Sequence, residues 1–438
     1  MMYFRQGKLN INFNFVSYYI MRRLLIKNIK QLVQVREVTA EPIKGKSMDE
    51  VPHINDAWLA VEDGIILDYG SMDDFPGITD WKGLEIIEAE DRLVIPSWVD
   101  SHTHIVYAGS REGEFADRIR GLTYEEIAQK GGGILNSALK LKDATEEELV
   151  ESALIRCNEI ISQGTGAVEI KSGYGLYPEA ELKMLRVIKK LKTLTPLSIK
   201  ATFLAAHAVP TEYKTNKAKY IDIILNETLP QVAKEGLADF IDVFCEKNYF
   251  TPEETIQILE AGKKLGLTPK VHAEQMSNYG GVIAGVKCGA ISVDHLEFVE
   301  AKEIEALKNS KTIPTILPGA AFFLSLPNPP AREMINAGLA LAVASDFNPG
   351  SSPSGNMNLM QAICCIQYKM TPNECMNAST INTAFAMGLQ NEVGSITIGK
   401  KANFFITKKI NSLDMIAYSF GSNPVDQVFL NGEKIKTN

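Results

Sequence analysis

The fold is decided by the stretch from residue 94 to residue 106, VIPSWVDSHTHIV, in which an apolar strand ends on His102 and His104. Similar apolar segments elsewhere end on His207 in TFLAAHAVP, His272 in PKVHAEQ, His295 in ISVDHLEF and Asp346 in LAVASDFNPG. Only His53 lies outside this pattern. A polar side chain at the end of a buried strand takes the place of an apolar one that would pack better. Repeated placement of such side chains therefore indicates a functional site.

Strand-length apolar segments alternate with helical patterns through the middle of the chain. Eight such segments occur: RLVIPSWVD, GTGAVEIKSG, LSIKATFLAAH, ADFIDVFCE, TPKVHAE, AISVDHL, KTIPTIL and LALAVASD. Thr251, Pro252 and Glu254 form the start signal of one intervening helix, with a capping box and a proline at its first position. We therefore predict an α/β fold, a (β/α)8 TIM-type barrel over residues 94–394, with its chemistry at the carboxyl ends of the strands.

The two ends of the chain have a different pattern, of short strands joined by turns such as Asp63-Gly64 and Asn431-Gly432. Residues 21–93 and 395–438 are therefore predicted to form one small β-sandwich domain. Residues 1–20 are a poor secretory signal, because they lack a compact apolar core and a small-residue cleavage site. We expect them to be a leader that is not native, with translation starting at Met21, or a disordered extension.

The composition argues against nucleic-acid and membrane partners and favours a cytoplasmic protein. The 438 residues are 45% hydrophobic and 22% charged, with a formal net charge of -8 and no basic stripe, which argues against nucleic acid. No apolar run reaches the roughly 18 residues of a membrane span. The six cysteines form no C-x-x-C pair, which is typical of reduced thiols in a cytoplasmic protein. A small-molecule substrate is the expected partner.

The spacing of the histidines favours a metal site. Side chains alternate along an extended strand, so His102 and His104 point the same way and can reach one ion. Adding His272 and Asp346 gives three nitrogens and one oxygen, a set that suits one divalent Zn²⁺ or Fe²⁺ ion with an open position for water. The alternative is a set of strand-end histidines that are satisfied by backbone groups.

The order of these motifs resembles the amidohydrolase superfamily. Most of residues 94–400 take part, through SHTHIVYAGSREGEFADRIRG, EIKSGYGL, FLAAHAVP, VHAEQ, VDHLE, ILPGAAFFL and ASDFNPGSSPSGN. SGYGL and DFNPGSSP are more specific than His-x-His, and they resemble the superfamily members that hydrolyse the cyclic amide of 4-imidazolone-5-propanoate in histidine degradation.

The resemblance implies roles for individual residues. The metal ligands would be His102, His104, His272 and Asp346. The substrate would be bound by Arg111, Tyr174, His207, Gln275, Asn348, Gly350 and Ser351. The catalytic groups would be His295 and Asp346. Arg111 and Tyr174 suit the propanoate tail, and a homodimer is a plausible assembly.

The chain departs from the family pattern at Gln275, where the family has a glutamate that contacts the imidazolone ring. Glutamine can donate and accept hydrogen bonds but cannot act as a base. Lys171 is interpreted as a polar anchor in the loop after the second strand, and Glu246 as a supporting group. Two alternatives stay open: an aminohydrolase acting on a purine or pyrimidine analogue, and a non-catalytic barrel that serves as a scaffold.

Overall fold

The computed structural model describes residues 22–37, 40–122, 126 and 132–436. The predicted leader, residues 1–20, and the start site at Met21 lie outside this part of the chain. Numbered in chain order, the strands are β1 Arg23–Val33, β2 His53–Glu62, β3 Ile65–Ser71, β4 Leu84–Glu88, β5 Leu93–Pro96, β6 Trp98–Thr103, β7 Thr165–Lys171, β8 Ser198–Ala206, β9 Phe240–Cys245, β10 Thr268–Ala273, β11 Ser292–His295, β12 Ile313–Ile316, β13 Ala342–Val343, β14 Phe404–Thr407, β15 Val425–Leu430 and β16 Glu433–Ile435.

Helices fill the connections between the strands. The α-helices are Glu112–Ile119, Ile134–Asp143, Glu146–Ser162, Pro178–Leu194, Lys217–Ile223, Leu229–Glu235, Pro252–Lys264, Gly281–Cys288, Ala301–Lys308, Pro318–Leu324, Ala331–Asn336, Met357–Tyr368, Pro372–Ser379, Ile381–Ala386 and Met415–Tyr418. Short helical turns of other types span Gly45–Asp49, Met72–Asp74, Thr211–Tyr213 and Ile224–Thr228. Within the described part of the chain, no helix has both the length and the apolar character needed to cross a bilayer.

The predicted parallel barrel is confirmed. Strands β6 to β13 lie side by side in chain order, and the pairs in the ladder are parallel. A parallel bridge between Thr103 and Phe347 links the last segment to the first strand. The capping box predicted at Thr251 is also present, with the Thr251 side chain accepting from Glu254 N at 3.2 Å and Glu254 accepting from Thr251 N at 2.8 Å.

Both ends of the chain contribute to a separate mixed sheet, in the order β16-β15-β14-β5-β1-β2-β3, with β4 paired to β1. Apolar side chains from both ends share one buried cluster; it includes Ile26, Leu59 and Val94 from the first part and Phe404 and Phe429 from the second. Because β14 pairs with β5, the sheet needs both ends of the chain.

The apolar run RLVIPSWVD reads as one strand but is divided between the two sheets at Ser97. Pro96 ends β5 because proline has no N–H with which to extend a ladder. Ser97 N then donates to Asn403 O at 3.0 Å, and β6 enters the barrel with the next residue. Trp98, the first residue of β6, lies against Phe405 of the terminal sheet with ring centroids 5.0 Å apart.

Removal of the Phe405 ring should destabilise the protein strongly. Phe405 and Trp98 are fully buried where the barrel meets the terminal sheet. We expect Phe405→Ala to lower the free energy of unfolding by about 3–5 kcal/mol, because it leaves a cavity beside Trp98. The matched control, Phe420→Ala, removes a ring that is 57% exposed and should change stability by less than about 0.5 kcal/mol. Chemical unfolding measures both, and equal losses would contradict the packing role of Phe405.

Candidate active site

Three histidines converge at the carboxyl end of the barrel. His102 and His104 lie at the end of β6 and His272 near the end of β10, and their ligand nitrogens lie within 4.8 Å of one another. Asp346 Oδ1 lies 3.5 Å from His102 Nε2 and 3.7 Å from His104 Nε2. The four predicted ligands therefore surround one point, although they come from distant parts of the sequence.

Each imidazole is oriented by a contact on its Nδ1 side. His102 Nδ1 donates to Asp294 Oδ2 at 2.7 Å, and His104 Nδ1 donates to the carbonyl oxygen of Ser172 at 3.3 Å. His272 Nδ1 lies 2.9 Å from Asp242 Oδ2. A proton held on Nδ1 leaves the lone pair on Nε2, so these contacts point the ligand atoms toward the shared centre.

The residues fit a divalent metal. The Nε2 atoms of His102 and His272 are buried and make no hydrogen bond to any described residue, an arrangement that a bound ion would satisfy. Burial holds the pKa of His102 and of His104 well below the ordinary histidine value and lowers the pKa of His272 to about 3. The three rings are therefore neutral at pH 7, the form that binds metals.

The backbone is strained where three of these strands end. Glu274, His295 and Asp346 adopt positive φ angles of 52°, 94° and 55°. Residues other than glycine rarely occupy this region, and such strain clusters at functional sites. In this conformation Glu274 accepts from Gly280 N at 2.8 Å and from Val282 N at 2.9 Å, at the start of the next helix.

A cavity of about 240 Å³ reaches His207, whose ring stacks on that of His104. Its lining includes every residue that was predicted to bind the substrate: Arg111, Tyr174, His207, Gln275, Asn348, Gly350 and Ser351. Apolar rings complete the wall, among them Phe115, Phe244 and Phe323. The combination of apolar walls with a few convergent polar groups is typical of a small-molecule site.

The loop after β13 is organised by Asn348. Its side-chain oxygen accepts from Gly350 N at 2.7 Å, Ser351 N at 2.8 Å and the Tyr174 hydroxyl at 3.3 Å. Its amide donates to Asp346 O at 2.6 Å. These bonds link the loop to the wall of the cavity and to Asp346.

Arg111, the residue immediately before the helix Glu112–Ile119, reaches over this loop. A Cβ atom at Gly350 would lie 2.3 Å from Arg111 Nη1, so any larger residue there would displace the guanidinium from its present position. Arg111 donates to Glu114, with Nε at 2.9 Å from Oε2. Glu114 also accepts from Gly133 N at 3.0 Å and so connects Arg111 to the far side of the first crossover.

His207 and His295 flank the histidine cluster. The His207 ring stacks on His104 with centroids 5.2 Å apart, and its Nδ1 donates to Gly173 O at 3.0 Å. His295 Nδ1 lies 3.7 Å from Glu297 Oε1. Burial lowers the pKa of His295, but Glu297 and Asp346 outweigh burial and the net effect is a raised pKa. His295 therefore carries a proton more readily than the other site histidines.

Lys171 does not lie in a loop, as its sequence context predicts. It is the last residue of β7 and is fully buried inside the barrel, where Asp242 Oδ2 lies 2.8 Å from its Nζ. Glu246 accepts from Met276 N at 2.8 Å and from Ser277 N at 3.2 Å. It thus supports the loop that follows Gln275.

Sequence reasoning missed Asp242, Asp294 and Arg118. The two aspartates orient metal-site histidines from inside the barrel. A signal was available, because each is a charged residue inside an otherwise apolar strand, FIDVF or ISVDH. Arg118 lines the cavity and places its guanidinium carbon 4.7 Å from the centroid of the Phe323 ring. Its sequence context, SREGEFADR, is rich in charged residues, so Arg118 could not be told from an exposed surface arginine.

Comparison with known proteins gives relatives of nearly full length. The sequence model of the amidohydrolase family matches residues 93–435. An imidazolonepropionase of Flavobacterium johnsoniae is 57% identical over 411 residues, which cover 94% of this chain and 99% of that protein. An imidazolonepropionase of Christiangramia forsetii is 54% identical over 412 residues, which cover 94% and 100%.

Solved structures of lower identity share the fold. Guanine deaminase of E. coli superposes with a TM-score of 0.71 at 12% identity and covers 95% of this chain and 99% of its own. A zinc-bound adenosine deaminase from Xanthomonas campestris superposes with a TM-score of 0.67 at 15% identity, covering 94% and 92%. At these identities the likeness extends to the architecture alone.

Removal of one ligand should empty the metal site. We expect His272→Ala to lose bound metal and hydrolytic activity together, because two nitrogens and one carboxylate hold an ion poorly. The matched control is His53→Ala, which removes an exposed histidine far from the cluster and should leave the metal content unchanged. Elemental analysis of both purified variants tests this, and full metal content in His272→Ala would mean that the ligand set is wrong.

Proposed function

Because this chain belongs to the amidohydrolase family and, within it, to the imidazolonepropionases, we propose that it hydrolyses the cyclic amide of 4-imidazolone-5-propanoate. The product is N-formimidoyl-L-glutamate, and the step belongs to histidine degradation. One observation supports the proposal most directly: a single cavity beside the three histidines collects all seven residues predicted to contact that substrate.

The proposed metal ligands are His102, His104, His272 and Asp346. Nitrogen and oxygen donors of this kind accept either Zn²⁺ or Fe²⁺, and metal availability selects between them. When bound, such an ion lowers the pKa of water and polarises a carbonyl group. Asp346 lies next to this centre, and burial raises the pKa of its carboxyl group to about 6.

The cavity orients the substrate by its charge. We assign the propanoate tail to Arg111, because a planar guanidinium binds a carboxylate through two parallel hydrogen bonds. To do so, Arg111 would exchange Glu114 for the carboxylate of the substrate. Tyr174 would share the tail with Arg111, and Asn348, whose side-chain oxygen accepts from the Tyr174 hydroxyl at 3.3 Å, would hold Tyr174 in place.

We assign the proton transfer and the stabilisation of negative charge to Asp346 and His295. In the reaction, the oxygen of water bonds to the ring carbonyl carbon, the carbon–nitrogen bond breaks, and the leaving nitrogen takes up a proton. We assign His295 to hydrogen-bond the carbonyl oxygen as it gains negative charge, since Glu297 favours its protonated form. Asp346 would accept the proton of water and pass it to the leaving nitrogen.

Gln275 lines the cavity where the family has a glutamate. We propose that its amide contacts the imidazolone ring through a hydrogen bond and takes no proton, because an amide has no basic site at neutral pH. Asp346 and His295 then carry the whole of the acid–base chemistry. The loop that follows Gln275 is supported from below by Glu246.

We further propose that the protein is cytoplasmic and forms a homodimer. All six cysteines are free thiols, which supports a reducing cytoplasmic environment. The homodimer stays a prediction, and sedimentation of the purified protein would distinguish it from a monomer. The division into domains is likewise proposed: the predicted boundary at residues 93–94 moves to Ser97, because β5 pairs with β1 and β14 in the terminal sheet, and the boundary at 394–395 stays a prediction.

The substrate assay tests the proposed function directly. Freshly generated 4-imidazolone-5-propanoate should lose its ultraviolet absorbance when the metal-loaded protein is added, and N-formimidoyl-L-glutamate should appear in equal amount. Protein treated with a chelator serves as the control. Ammonia release from guanine with no turnover of the imidazolone would instead favour an aminohydrolase, and a protein that turns over neither compound would favour the scaffold.

Loss of the guanidinium should weaken substrate binding. We expect Arg111→Ala to raise KM for the propanoate substrate by about 10–100-fold, as follows from losing a charged hydrogen bond of about 1.5–3 kcal/mol. Arg120→Ala is the matched control, because the Arg120 side chain follows the same helix and is 71% exposed. Steady-state kinetics measure both, and an unchanged KM in Arg111→Ala would remove this residue from the site.

A further inference from the structure

Five charged side chains fill the barrel interior beneath the metal site. They are Glu169, Lys171, Asp242, Lys270 and Asp294, and all are at most 1% exposed. Barrel interiors of this class are normally filled by branched apolar side chains. Burying several charges costs stability unless they are closely paired, so their presence calls for a function.

Lys171 occupies the centre of this charged cluster. Its Nζ lies 2.5 Å from Glu169 Oε1, 2.8 Å from Asp242 Oδ2 and 3.7 Å from Asp294 Oδ2. The last two carboxylates are the groups that orient His272 and His102, at 2.9 Å and 2.7 Å from their Nδ1 atoms. One ammonium group thus lies between the partners of two metal-site histidines.

We propose that Lys171 is a positioning residue that fixes Asp242 and Asp294, and through them aims the Nε2 atoms of His272 and His102 at the metal. The inference rests on the metal site of the proposed function. Without the lysine, the two aspartates would repel each other and their histidines would lose a fixed direction. Carboxylates that support metal-bound histidines in this way typically change metal affinity by about 10–100-fold.

Lys270 has a different task. Its Nζ donates to the carbonyl oxygen of Ser101 at 3.0 Å and to Glu169, and it lies 3.8 Å from Asp294 Oδ2. It therefore ties the backbone that precedes His102 to the cluster but does not touch Asp242. Only Lys171 contacts both aspartates among the lysines of the described chain.

The surroundings of Lys171 also argue against a carbamate on its Nζ. Such a group is anionic and would face the carboxylates of Glu169, Asp242 and Asp294. Repulsion from three buried carboxylates disfavours it. Lys171 therefore acts as a free ammonium, in agreement with a site for one metal.

The experiment compares Zn²⁺ affinity in full-length variants by competition with a chromophoric chelator. Lys171→Met should bind Zn²⁺ about 10–100-fold more weakly than the unmutated protein. Lys400→Met is the matched control: it removes another buried lysine, whose Nζ donates to Val393 O and Ser395 Oγ, and should leave the affinity unchanged.

A double variant separates positioning from charge balance. The cluster has three carboxylates and two ammonium groups, a formal charge of -1; Lys171→Met makes it -2, and adding Glu169→Gln restores -1. Because the charge is restored, the double variant should recover thermal stability. Its Zn²⁺ affinity should stay low, because Glu169 contacts neither His102 nor His272 and its replacement cannot reposition them. The visible spectrum of bound Co²⁺ should also change in the double variant and not in Lys400→Met, because it reports ligand geometry.

The outcomes are distinct. Weak Zn²⁺ binding that persists in the stable double variant supports positioning by Lys171. Unchanged affinity in Lys171→Met, or affinity fully restored in the double variant, would overturn it. If the unmutated protein took up no Zn²⁺, Fe²⁺ or Co²⁺, the metal site of the proposed function would fail instead.

Discussion

The barrel closes through two backbone hydrogen bonds that lie among the metal-site residues themselves. Asp346 N donates to His102 O, and His104 N donates to Phe347 O, both at 2.9 Å. Strand β13 is only two residues long, so the segment after it completes the ring. The contact that closes the fold and the contact that gathers the ligands are therefore one feature. Anything that opens the ring also separates Asp346 from His102 and His104.

The barrel interior beneath the metal site is charged because the histidine ligands need charged partners. Three neutral imidazoles need fixed tautomers, and two of them obtain these from the buried aspartates Asp242 and Asp294. The aspartates in turn need cations, which Lys171 and Lys270 supply. The cavity above has apolar walls and one guanidinium over Gly350, which suits a small anion with a flat ring.

Periodicity and local signals were enough to predict the barrel and the capping box at Thr251, and they favoured a metal site at the carboxyl ends of the strands, while the roles of its individual residues stay a prediction from the family resemblance. Period two placed His102 and His104 on one side of their strand, and the order of strands placed His272 and Asp346 beside them. The same signals could not predict which distant residues contact each other in the folded chain. Lys171 looked like a loop residue because SGY follows it, yet its side chain turns into the barrel, and the strained turn at Glu274 has no local signature. The division of RLVIPSWVD at Ser97 likewise depends on pairing with β14, more than 300 residues away.

The sheet shared by the two chain ends sets an order for folding during synthesis. Strand β5 leads directly into the barrel, but its partner β14 leaves the ribosome only after the whole barrel has been made. Until then, Trp98 lacks the Phe405 ring that covers it. In a nascent chain, the edge of β5 that faces β14 therefore stays unpaired while the barrel is made, and exposed strand edges of this kind favour misassociation.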